Sequence, residues 1–143
     1  MIIQEIKTFS PEIEKSINRF LILLVENANS ISKQLIESII SDKNSHIFFA
    51  VTDDGEYSGM VTVGIYISPT GKKAWIEDVV VDEKYRRQGV GQYLTESAIQ
   101  FARNQQADIV MLTSKPCRIS ANKLYQKIGF QLKQTNVYRM TLK

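Results

Sequence analysis

Cysteine and histidine are almost missing: the chain holds one of each, Cys117 and His46, among 143 residues. A lone cysteine can close no internal disulfide and build no cysteine zinc cluster, and a lone histidine excludes a multi-histidine metal centre. Long apolar runs are missing too. The longest, Phe20–Val25, is far too short to cross a bilayer. The N-terminal Met-Ile-Ile-Gln-Glu-Ile-Lys lacks the basic-then-apolar order of a signal peptide, so a cytoplasmic location is expected. No dense Lys/Arg block occurs, and a net charge of +3 with a pI near 9.0 suits a small anionic ligand better than nucleic acid. Nor is there a Pro/Gly/Ser-rich linker, a repeat or a low-complexity tract, so residues 1–143 read as one domain. Its 43% hydrophobic and 23% charged residues are those of an ordinary soluble globular chain.

What is present has clear periodicity. Ile2–Phe9 reads as a strand. Ser10 then caps a helix with Pro11 in its first position, and Ile13, Ile17, Phe20, Leu21 and Leu24 give it a buried face. A second helix is expected over Ile31–Ile40, with Ser30 as its cap. His46–Thr52 and Met60–Ser68 read as strands; in the latter Val61, Val63, Ile65 and Ile67 alternate with Thr62, Gly64 and Tyr66. Ser68-Pro69-Thr70-Gly71 turns the chain into a hairpin with the strand containing Trp75–Val81. A helix over Val90–Gln105 and a buried strand over Ile109–Ser114 complete a right-handed crossover, so the strands flanking it should be parallel. A last helix carries Ala121, Leu124, Tyr125 and Ile128 and stops at Gly129. Phe130–Gln134 and Val137–Leu142 would close the chain as a hairpin. The expected order is β-α-α-β-β-β-α-β-α-β-β: an α/β fold with a mixed sheet and helices on its faces.

The stretch from Trp75 to Leu94 is the most informative. A β-branched strand enters a basic loop, Arg86-Arg87-Gln88-Gly89-Val90-Gly91, and two glycines open the following helix. Backbone N–H groups and a helix dipole converge there, which makes a site for phosphate. Glycine at positions 89 and 91 lets a phosphate approach the backbone with no Cβ in the way. Acidic side chains on the preceding strand, Glu77 and Asp78, suggest that the bound molecule takes part in chemistry. Without further context, a Gly-x-Gly pair is also compatible with a plain strand-to-helix turn.

The loop resembles the Arg/Gln-x-x-Gly-x-Gly/Ala signature of the GNAT superfamily of N-acetyltransferases, with Arg86, Gly89 and Gly91 at its defined positions. Val79-Val80-Val81-Asp82 before the loop is similar to the family pattern, as is the closing Leu124-Tyr125-Gln126-Lys127-Ile128-Gly129-Phe130. The resemblance implies the acyl-CoA N-acyltransferase fold, acetyl-CoA as cosubstrate, no metal, and direct attack of an amine in a ternary complex without a covalent acyl-enzyme. It places the pyrophosphate on the amides from Arg87 to Gln92, with Arg86, Arg87 and Gln88 nearby. It also pairs the pantetheine arm with the backbone of Val79, Val80 and Val81, and lets the Val79 N–H polarise the thioester carbonyl. Glu77, four residues before Val81, matches a catalytic or water-ordering glutamate; strand alternation puts it on the face of Trp75 and Val79, opposite Asp78. Whether it accepts the proton of the substrate ammonium or only binds it stays open, and a bulge would exchange the roles of Glu77 and Asp78. Tyr125 matches the tyrosine that protonates the departing thiolate, although its ring also belongs to the helix's apolar stripe.

One position departs from the family pattern: Arg118 stands seven residues before Tyr125, where many members have a pantetheine-binding asparagine. A subset of bacterial members shares the pattern Thr113, Ser114, Arg118, Ala121, Asn122. On that resemblance Arg118 and Asn122 belong to the cofactor side; Arg118 could reach a phosphate or an anionic acceptor, or be a solvated residue at a helix start. His46 and Cys117 read as incidental, and Trp75 and Tyr66 either line the acceptor pocket or pack under the helices. The Trp75–Gly91 stretch is similar to that of glucosamine-6-phosphate acetyltransferases, whereas Thr113–Phe130 looks more like aminoalkylphosphonate or general bacterial acetyltransferases. The expectation is therefore a small-molecule primary amine as acceptor, phosphorylated or otherwise anionic, with a protein N-terminus or lysine, or a non-catalytic acyl-CoA-binding module, as alternatives. No nucleic acid or membrane partner is expected, and a homodimer is left open.

Overall fold

Ser10 sits in extended conformation and its side chain accepts from the Ile13 N–H, so the helix α1, Pro11–Leu24, starts where the capping chemistry sets it. The computed structural model describes residues 1–143 in two compact units, Met1–Thr113 and Ser114–Lys143. In the first unit α1 is preceded by β1 (Ile2–Glu5). It is followed by α2 (Lys33–Ser41), β2 (Ser45–Val51), β3 (Tyr57–Ser68), β4 (Gly71–Val81), a single 3₁₀ turn (Glu83–Tyr85), α3 (Val90–Asn104) and β5 (Ile109–Leu112). The second unit holds α4 (Ile119–Ile128).

The five strands lie in the order β1-β2-β3-β4-β5. The first three pairings are antiparallel, and β4 with β5 is parallel, as the crossover through α3 requires. One face of the sheet carries Ile47, Phe49, Val51, Met60 and Val80, packed with Ile13, Ile17 and Phe20 of α1 and Ile36 of α2. Phe20 is fully buried with its ring edge-on to Phe49. Burying one such side chain is worth about 1.5–3 kcal/mol. The other face is covered by α3, whose Val90, Leu94, Ala98 and Ala102 are buried and whose Phe101 meets the rings of Phe48 and His46. His46 is thereby a structural residue, its Nδ1 2.7 Å from a Glu5 carboxylate oxygen.

Several expected boundaries shift. Helix α2 starts later than Ile31 and is capped by Ser32, which accepts from the Leu35 N–H, not by Ser30. Ahead of it, Asn18 of α1 accepts the Ile31 N–H at 2.7 Å and ties that residue to α1. Strand β5 ends at Leu112 and is not a buried strand. It lies at the end of the sheet, and Ile109 is 50% exposed.

In the second unit α4 appears as expected, but only Tyr125 of its apolar stripe is fully buried. The closing hairpin does not form. Residues 130–143 contain no strand, and Leu132, Val137, Tyr138, Met140 and Leu142 are exposed. Alternation is not enough there: two short strands alone are marginal without a paired neighbour or a face to cover.

Candidate active site

Asp82 anchors the start of the loop after β4. Its N–H donates to Ser58 O at 2.9 Å, its carboxylate accepts from the Lys84 N–H at 3.0 Å, and its other oxygen lies 3.4 Å from Arg19 Nε of α1. The Arg86 side chain folds back and donates to Val81 O at 3.2 Å, and Gln88 donates to Lys84 O at 3.3 Å. Both side chains stiffen the loop. Arg87 takes φ +63° and Gly89 φ +81°, so the chain passes through the left-handed region twice in three residues. Gly89 is the N-cap of α3 and offers no side-chain cap, and the first turn carries no acidic residue. The first intrahelical bond there is Tyr93 N–H to Gly89 O, which leaves the amides of Val90, Gly91 and Gln92 without an internal acceptor. The buried Val90 side chain and the Gln92 side chain, bonded to Glu96, face away from that role; only their backbone is available. This end of α3 fits a pyrophosphate.

Beside the loop, β4 outruns its parallel neighbour. Pairing with β5 covers Lys73 to Ile76, while β4 continues to Val81. Past Ile76 the β5-side edge of β4 therefore has no partner strand. That stretch contains Val79, Val80 and Val81, and an extended amide-bearing chain could pair with it, as the pantetheine arm requires. The Val81 carbonyl is already taken by Arg86.

The same stretch holds a bulge. Thr62 pairs with Glu77, but Met60 pairs with Val80, so Asp78 and Val79 together oppose Val61. Asp78 adopts φ +53°. Cross-strand partners share a face, so Trp75, Glu77 and Val80 lie on the face of Gly64, Thr62 and Met60. The expectation that Glu77 shares its face with Val79 is thus corrected: the extra residue moves Val80 into that position. Glu77 is exposed beyond the part of this face that α1 and α2 cover. Partial desolvation of the carboxyl by surrounding protein atoms, then the neighbouring Asp78 charge, push it above the ordinary range although the residue is exposed; desolvation alone raises that of Asp78. A carboxylate with a raised pKa is a better proton acceptor than a free one.

In the second unit Tyr125 is buried, its ring edge-on to Phe130 with centroids 6.0 Å apart. Burial raises the phenol pKa, opposed by the Arg118 charge, so the hydroxyl keeps its proton at neutral pH. Arg118 is exposed at the N-cap of α4. Asn122 spends its amide on the preceding turn, donating to Lys115 O at 3.0 Å. Cys117 is exposed in that turn. The Ser114 hydroxyl is buried with no hydrogen-bond partner, an orphan that sequence pattern alone could not show.

A depression of about 320 Å³ lined by Lys43, Asn44, Ile65, Tyr66, Ile67, Lys72 and Gln105 lies at the Lys72 end of β4, away from the loop at Val81. It is not the phosphate site. No helix is long and apolar enough to cross a membrane.

The acetyltransferase (GNAT) family matches residues 12–130. The chain is 31% identical to N-acetyltransferase 8 of Homo sapiens over 99 residues, 68% of this chain and 43% of that protein. It is 32% identical to streptothricin acetyltransferase of Streptomyces lavendulae over 89 residues, 62% of this chain and 46% of the other. These matches take in less than half of either relative's length. The crystal structure of a probable acetyltransferase, 23% identical, superposes on 100% of this chain and 99% of its own with a TM-score of 0.83, which shows a shared fold. With a matching family model over most of its length, the chain belongs to the acetyltransferase (GNAT) family.

Proposed function

We propose that the protein is an N-acetyltransferase that moves the acetyl group of acetyl-CoA to a primary amine of a small molecule, in the cytoplasm and by direct attack. The observation that carries this reading is the uncapped, acid-free N-terminus of α3 next to the unpartnered edge of β4. One suits a pyrophosphate, the other an extended amide arm, and Glu77 stands on β4 at the start of that edge. We take residues 1–143 as one functional domain, because the family match runs across both units.

In this reading the amides of Val90, Gly91 and Gln92 hold the pyrophosphate, and Arg87 adds positive charge. The backbone of Val79 to Val81 orients the pantetheine arm, with the Val79 N–H polarising the thioester carbonyl. Glu77 takes a proton from the substrate ammonium, directly or through water. The free amine then attacks the thioester carbon, the carbon–sulfur bond breaks, and Tyr125 gives its proton to the leaving thiolate. Arg118 is left for an anionic group on either substrate. Streptothricin acetyltransferase, a similar protein, is named for a small-molecule acceptor.

The test is a thiol-release assay with a panel of primary amines. Amine-dependent CoA release that Glu77→Gln and Tyr125→Phe reduce, with acetyl-CoA affinity kept, is expected. Tight acetyl-CoA binding with no release for any amine overturns the assignment in favour of a binding module.

A further inference from the structure

On the buried face of α3 one polar side chain stands where an apolar one would serve the core. Thr95 is fully buried, beside Leu94 and on the stripe that Ala98 and Ala102 continue toward the end of the helix. Its hydroxyl donates to Gly91 O at 2.8 Å. That carbonyl is also the regular acceptor for the Thr95 N–H in the helical ladder, so it receives two donors. A valine would fill the same space without a buried oxygen. A back-bond of this kind tends to bend a helix and not to strengthen it, so the stability of α3 gives no reason for the hydroxyl.

The carbonyl that takes this second bond belongs to the peptide unit joining Gly91 to Gln92. The other end of that unit is the Gln92 N–H, one of the amides at the start of α3 without an internal acceptor. Two donors on one carbonyl draw electron density toward its oxygen and leave the amide hydrogen more positive, the cooperative effect of linked hydrogen bonds in a low-dielectric interior. We propose that Thr95 is a positioning residue of the donor site. Its hydroxyl holds and polarises the Gly91–Gln92 peptide, and the Gln92 N–H then donates more strongly to the pyrophosphate of acetyl-CoA. Thr95 acts through that peptide alone. The proposal rests on the acetyl-transfer reading above and extends its donor side from the loop to the core of α3.

Two variants separate the hydroxyl from the packing. Thr95→Val keeps the shape and removes the hydroxyl; Thr95→Ser keeps the hydroxyl and removes a methyl group. CoA affinity is measured by calorimetry, with the melting temperature of each protein alongside. Thr95→Val should bind CoA about three- to fivefold more weakly and melt no lower than the wild type. Thr95→Ser should bind within about twofold of the wild type although it melts lower, because it opens a small cavity. In the CoA complex the Gln92 amide proton should move upfield in Thr95→Val and return in Thr95→Ser. Equal CoA affinity in the wild type and Thr95→Val, a loss that Thr95→Ser shares in full, or a Gln92 signal that does not move overturns the role of the hydroxyl and leaves acetyl transfer standing. Failure of the wild type to bind CoA overturns the donor-site reading and this role with it.

Discussion

Two adjacent carboxylates, Glu77 and Asp78, stand on β4, and their environments make separate demands. A base at Glu77 works only when ionised, and partial desolvation with the Asp78 charge raises its pKa. The acid limb of kcat/KM should therefore lie above the ordinary carboxylate range. Glu77→Gln should remove that limb and lower kcat by about 10²-fold or more. A raised amine KM with kcat intact would instead mark Glu77 as an ammonium binder. Asp78 acts on stability. Its folded pKa is raised above the unfolded one, so the native chain holds the proton longer and stability falls as pH rises through that interval. Asp78→Asn should gain in melting temperature over the wild type across that window and keep the gain at neutral pH. Asparagine also tolerates the positive φ. Tyr125→Phe should lower kcat by about 10²-fold without changing acetyl-CoA affinity, because only the proton is removed and the buried ring stays. The candidacy of Glu77 and Tyr125 was readable from their place in the motifs. The strain at Asp78 and the orphan hydroxyl of Ser114 were not, since both depend on what distant residues do around them.

At the scale of elements, the site is made by ends and edges. The N-terminus of α3 is available because Gly89 turns the chain at positive φ and adds no cap. Gly89→Ala keeps the space, as a Cβ there meets nothing within 4 Å, yet forces alanine into the left-handed region at a cost of about 1–2 kcal/mol. Acetyl-CoA affinity measured by calorimetry should fall along with the melting temperature. Gly59 in β3 poses the opposite problem. A Cβ there would lie 2.6 Å from Val80 O and 3.0 Å from Leu94 Cδ1. Gly59→Ala should cost about 1–3 kcal/mol and shift β4 at Val80, so that denaturant melts and acetyl-CoA binding weaken together. Periodicity and capping chemistry showed α1, α3 and the parallel crossover beforehand. They missed the Ser32 cap and could only leave a bulge open, because a strand's own alternation does not count the residues of its neighbour. They also suggested a closing hairpin from alternation alone, where the structure contains no strand.

For the whole molecule, the relevant quantity is charge. A net charge of +3 favours an anionic cosubstrate. The association rate of acetyl-CoA in stopped flow should fall as salt rises from low to physiological ionic strength, while dissociation changes less. An association rate insensitive to salt would show that backbone amides, not net charge, govern capture.

The sequence by itself determined the family and the main helices. Caps, glycine turns and motif spacing act between residues close in the chain, so they can be read along it. Only the tertiary structure decided which face Glu77 shares and where β4 lacks a partner. Each of these is a matter of register between strands, and register is set by pairing across the sheet, which no single segment contains.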